Sequence, residues 1–90
     1  VSLTPINTEK LASSELSIRG AEEVGASGVP AAKFHLQLAR DENTEAMKLA
    51  AAGDPRWEVL FARSEADAEL ALGLVRETTV HNEALKAART

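Results

Sequence analysis

Apolar and small residues recur in this chain at spacings of three and four, the period of an α-helix, and no long β-branched run interrupts them. The clearest stripe is Ala32, Leu36, Ala39, Ala46, Met47 and Ala50, with Asn43 in its middle. A longer one runs through Trp57, Leu60, Ser64, Asp67, Ala71, Leu74, Val75, Thr78 and Leu85, flanked by Leu70 and Leu72. Nearer the start, Leu11 and Ile18 lie one heptad apart, with Ala12 and Leu16 to one side and Glu15 and Glu22 close by. That stripe is narrow and predicts the least firmly packed helix. Phe34 and Leu38 form a second apolar patch on the far side of the middle stripe, so that helix should meet two neighbours, or one neighbour and a partner.

Two breaks separate the stripes. Gly53, Asp54 and Pro55 stand in the order a helix end and a helix start require. Glycine takes the left-handed conformation just past a C-terminus, aspartate caps the free N–H groups of a first turn, and proline suits the first helical position. A link this short predicts an antiparallel hairpin. Gly25, Ser27 and Gly28 mark the other break, with Pro30 opening the next helix. The expected fold is all-α: a three-helix antiparallel bundle over about 8–24, 30–52 and 55–88, after a flexible leader at 1–7. At about 1.5 Å per residue the third helix spans about 50 Å and the second about 33 Å, so the third should overhang. Thr78, Thr79 and Val80 are poorer helix formers, and a bend or fraying is expected there.

The polar residues within the stripes need partners. A carboxylate amid leucine and alanine is costly unless it is paired or reaches water. An antiparallel register about Gly53–Asp54 sets Asp67 against Arg40 and Ser64 against Asn43. The expectation is an Arg40–Asp67 ion pair beside an Asn43–Ser64 hydrogen bond, together fixing the register.

Composition narrows the function classes. Aromatics are 3% of the chain and much of the 44% hydrophobic content is alanine, which favours helix and buries little area per residue. Net charge is −4 with both signs mixed, so no basic face points to nucleic acid or an anionic membrane. No apolar run approaches a membrane span, and the absence of cysteine removes disulfides and cysteine zinc sites. His35 and His81 sit on different helices without converging donors, and a surface or packing role is expected for both. No nucleophile motif surrounds Ser13, Ser14, Ser17, Ser27 or Ser64, and no glycine-rich phosphate loop is present. No catalytic residue, metal or cofactor is therefore expected. Phe34, Leu38, Trp57 and Phe61 remain as an interaction patch, with core packing the plainer role for the aromatics.

Three segments, KLASSELSIRGAEEVGASGVPAA, FHLQLARDENTEAMKLAAAGD and ARSEADAELALGLVRE, resemble in order an alanine-rich helical domain family of uncharacterised function found in bacterial envelope lipoproteins. The match covers about residues 10–77, and its most specific pieces are HLQLAR, AAGD and EADAELALGL. In that family the domain commonly follows a lipidated cysteine and sometimes precedes an OmpA-like peptidoglycan-binding domain. The resemblance implies the periplasmic side of a Gram-negative envelope, tethering to the outer membrane by a lipid anchor upstream, and a partner among envelope or peptidoglycan-associated proteins. It carries no activity. This chain has no cysteine, and Asn43–Thr44 stands where relatives carry a more apolar pair.

The expected role is that of a non-enzymatic structural or adaptor domain presenting a helical surface. The alternatives are a binding module for a small apolar ligand, with a cavity between the Phe34–Leu38 patch and the first helix, and a cytosolic oligomeric coiled-coil scaffold joined through Leu74, Val75 and Leu85 of the third helix.

Overall fold

Three helices account for nearly all of the computed structural model, which describes residues 5–89 and, of residues 5–7, the backbone alone. Helix α1 is Pro5–Glu23, α2 is Pro30–Ala51 and α3 is Trp57–Arg89; a short 3-10 turn, Ala26–Gly28, joins α1 to α2. No strand occurs among the described residues. The expected all-α bundle with a long third helix is what forms. Helix α1 begins three residues earlier than expected, inside the stretch assigned to the leader; residues 1–4 lie outside the described residues.

Backbone chemistry explains both joints. Helix α2 ends in a Schellman motif: Gly53 N–H donates to Ala50 O and Asp54 N–H to Leu49 O, with Gly53 at φ 73°. Asp54 then turns its carboxylate back onto the backbone N–H of Arg56 and onto the Arg56 guanidinium. Those bonds hold the Asp54 carboxyl below its ordinary range. They also occupy Pro55 and Arg56 with the turn, so α3 starts at Trp57 rather than at Pro55. At the other joint, Gly25 takes φ 87°, and Pro30 opens α2 as expected.

The buried positions follow a three–four alternation on α2 and α3. On α2 they are Ala32, Leu36, Ala39, Asn43, Ala46 and Ala50; on α3 they are Phe61, Ser64, Ala68, Ala71 and Val75. Reflected across the Gly53–Asp54 turn, Ala32 meets the level of Val75, Leu36 that of Ala71, Ala39 that of Ala68, Asn43 that of Ser64 and Ala46 that of Phe61. A sustained heptad of this kind packs helices in the shallow-angled manner of coiled coils, and alanine and serine let the backbones approach closely. The α3 face is therefore rotated from the expected one: Phe61 and Ala68 are in the core, Asp67 is on its flank, and Leu85 is exposed.

On α1 the face is Leu11, Ser14, Ile18 and Ala21, with Leu16 turned to solvent. The widest apolar cluster lies where α1 turns into α2, around Ala21, Ala26, Ala32, Leu36, Ala71 and Val75, with Ile18, Val29 and Leu74 against it. Helix α3 runs unbroken through Thr78–Val80, without fraying there. From Thr79 to Arg89 every residue is exposed, and the molecule measures 61 × 20 × 15 Å.

Candidate functional site

The hairpin of α2 and α3 has two sides, and each carries one polar cluster. The side covered by α1 is built from hydroxyls. Asn43 Nδ2 donates to Ser14 Oγ at 2.9 Å, Ser14 Oγ donates to Ser64 Oγ at 2.8 Å, and Ser64 Oγ donates to the Ala39 carbonyl at 2.7 Å. All three side chains are buried, and the chain of donors leaves α2, crosses α1 and α3, and returns to α2. Ser13 Oγ donates to Glu65 Oε2 at 2.9 Å on the rim of this side, and Arg40 pairs with Glu22 of α1. The expected Asn43–Ser64 contact is thus made through Ser14. The expected Arg40–Asp67 pair is replaced: a helical turn carries Arg40 to the flank that faces α1, whereas Asp67 lies on the opposite flank of α3.

On the uncovered side, Asp67 Oδ1 meets His35 Nδ1 at 3.1 Å. His35 also packs edge-on to Phe34, with ring centroids 5.2 Å apart. One heptad after His35, Glu42 brings its carboxyl within hydrogen-bonding reach of Asp67. Two ionised carboxylates only accept, so a bond between them requires a proton. Glu42 Oε1 is buried and finds no hydrogen-bond partner among the described residues. Burial, the hydrogen bond to Asp67, the Asp67 charge and that of Asp41 push the Glu42 carboxyl up to about 7, while Arg63 opposes them. The legible signal for this cluster was the seven-residue step from His35 to Glu42, which puts both on one face; the expectation of an isolated His35 passed over it.

Apolar residues continue this face on either side of the acid pair. Leu38, Leu49, Leu60 and Leu74 are half-buried, and Phe34, Val59 and Leu70 are exposed. Near the hairpin turn, Glu45, Leu49, Arg56, Val59, Leu60 and Arg63 surround an open hollow of about 430 Å³. At the far end Val29, Ala31, Leu74, Val80, His81 and Ala84 line another of about 560 Å³, in the step where α3 runs past α2. The four residues of the expected interaction patch do not come together. Trp57 and Phe61 stack edge-to-face at 5.8 Å beside the turn, with Phe61 only 3% exposed, whereas Phe34 and Leu38 lie near the other end. The Phe34–Leu38 patch lies on the flank of α2 that carries His35, away from Arg40 and Asn43, which meet α1.

Chemically, the Asp67–His35 pair can hold an imidazole in one orientation, but the buried hydroxyls Ser14 and Ser64 lie on the other side of the hairpin and are engaged there. No group of three or more His, Cys, Asp or Glu among the described residues is placed to hold a metal ion. No helix among them is long and apolar enough to cross a membrane. Fold and surface together define an alanine-rich three-helix bundle with one side of its hairpin left uncovered by the described residues. Compared with protein-family models, curated proteins and solved structures, the chain has no significant match.

Proposed function

We propose that this chain is a non-enzymatic structural or adaptor domain that offers the uncovered side of its α2–α3 hairpin, and the exposed end of α3, to a macromolecular partner. The observation that carries this reading is the row of partly exposed Leu38, Leu49, Leu60 and Leu74 beside exposed Phe34, Val59 and Leu70, on a hairpin whose other side is already filled by α1. Exposed apolar side chains grouped on one face mark an interaction surface more often than the same residues scattered singly. The bacterial envelope, with a lipid tether upstream and an envelope or peptidoglycan-associated partner, is the setting that the family resemblance suggests. Photo-crosslinking residues placed at Leu70 and Leu85, with Arg19 on α1 as control, test the reading in cells expressing the whole gene product. Adducts from the first two positions in the envelope fraction support it; adducts from none of the three, or equally from all, overturn it.

A second reading, binding of a small apolar ligand, has the hollow between Val29, Leu74 and Ala84 in its favour. Saturable enhancement of an apolar dye, abolished by Leu74→Glu, would support it.

A further inference from the structure

Glu42 stands between two side chains of α3 that favour opposite protonation states. Reflected across the Gly53–Asp54 turn, Glu42 meets the level of Glu65, so Asp67 and Arg63 lie two residues to either side of it. Those two are one helical turn apart on the same flank of α3, about 6 Å along the axis, and a carboxyl on α2 can pass from one to the other by a change of rotamer. Glu65 itself turns toward α1, where it accepts from Ser13.

The two partners make different demands. Asp67 and Glu42 can share a hydrogen bond only while one of the carboxyls carries a proton. Arg63 has donors alone and gains most from an ionised carboxylate. His35 holds Asp67 in both states: its Nδ1–H donates to Asp67 Oδ1 at 3.1 Å whether the ring is neutral or charged. Beside Asp67, Glu42 leaves Oε1 buried without a partner, which a neutral carbonyl oxygen withstands far better than a carboxylate does. Arg63 is exposed and, among the described residues, holds no ion pair in this arrangement. Of its own helix, Asp41 adjoins Glu42 and Glu45 lies one turn further on; α1 is on the opposite side of the hairpin, where its Glu22 engages Arg40. The Glu42 carboxyl, raised to about 7 in these surroundings, exchanges its proton near neutrality.

We infer that Glu42 is a proton-operated latch, tied to Asp67 when protonated and swung toward the hairpin turn to pair with Arg63 when ionised. The swap draws Arg63 from the lip of the hollow it shares with Glu45 and Leu49, and it makes the uncovered side one charge more negative. It goes beyond the adaptor reading and does not rest on it, because every group it uses belongs to this chain.

A carbon-detected NMR titration of Glu42 Cδ, combined with nuclear Overhauser contacts from Glu42 Hγ, tests the latch in the unaltered chain, Arg63→Met and Arg63→Lys. Position 63 is exposed, and circular dichroism checks that each variant is folded. In the unaltered chain Glu42 should titrate near 7. Its Hγ contacts should run to Asp67 Hβ about two pH units below the midpoint and to Arg63 Hδ about two units above it. Arg63→Met should raise the midpoint by roughly half a unit, the size of an exposed ion pair, and Arg63→Lys should restore it. Titration of Glu42 in the ordinary carboxylate range, the same contacts on both sides of the midpoint, or a midpoint indifferent to Arg63→Met overturns the latch.

Discussion

Asn43 and Ser64 sit at one level of the α2–α3 hairpin, yet they meet through a third residue, the hydroxyl of Ser14, which accepts from the one and donates to the other. That hydroxyl makes the register of α1 depend on the register of the hairpin. Replacing it by hydrogen leaves the Asn43 amide buried without an acceptor, and an unsatisfied buried group costs about 1–3 kcal/mol. Ser14→Ala is expected to destabilise by that amount in urea unfolding. Combining it with Asn43→Ala should cost less than the two single changes together, since the second removes the orphaned donor.

Glu42 gives the fold a pH dependence with a definite sign. Its carboxyl, facing Asp67 and Arg63 of α3 and Asp41 of its own helix, is raised from an ordinary 4.5 to about 7. The folded state therefore binds that proton more tightly than the unfolded chain. Its contribution is fully present below about pH 4.5 and is lost as pH rises through about 7. Glu42→Gln keeps an amide donor for Asp67 and removes the titration. The variant should match the parent near pH 4.5 and, with solvent screening trimming the full linkage value, exceed it at pH 8 by on the order of 2 kcal/mol. Urea midpoints at the two pH values measure this, and equal slopes for parent and variant would contradict it.

Two glycines should respond to alanine in opposite directions. Gly53 holds φ 73° in the Schellman turn, where a Cβ is strained. Gly73 lies exposed within α3 with nothing within 4 Å of an added Cβ. Gly53→Ala should lower stability by about 1 kcal/mol and Gly73→Ala should raise it by about 0.5–1 kcal/mol. Thermal melts of the two variants beside the parent check both signs.

The last eleven described residues of α3, Thr79–Arg89, are all exposed. Removing everything after Thr78 should change unfolding stability by less than about 1 kcal/mol. Helical ellipticity should fall with the residues removed. In the parent, amides beyond Asn82 should exchange far faster than those of Leu36 and Ala71, which hydrogen-exchange mass spectrometry can resolve.

The helices and joints were legible because their signals are local. Glycine at a helix end, aspartate beside it and the three–four spacing of alanines act within a few residues. The antiparallel register also followed, since the Gly53–Asp54 turn places Asn43 and Ser64 at one level. The rotation of each helix about its axis was less legible. Asp67 and Phe61 differ in exposure by a fraction of a turn, and alanine-rich faces give periodicity little contrast from which to choose. The partner of Asn43 was hidden because it comes from α1, whose serine stripe has no hydropathy signal. Arg40 was assigned to Asp67 on level alone; facing Glu22 depends on which flank α1 covers.

Helix α3 also behaves as a ruler. Its packed part is held by α1 and α2, and the same unbroken helix continues outward, so anything carried at its far end inherits a distance and an angle from the bundle. Each residue inserted between Thr79 and Arg89 would push that cargo about 1.5 Å outward and swing it by about 100°, whereas a seven-residue insertion would restore the direction almost fully. Lengthening the exposed stretch thus alters aim long before it alters reach.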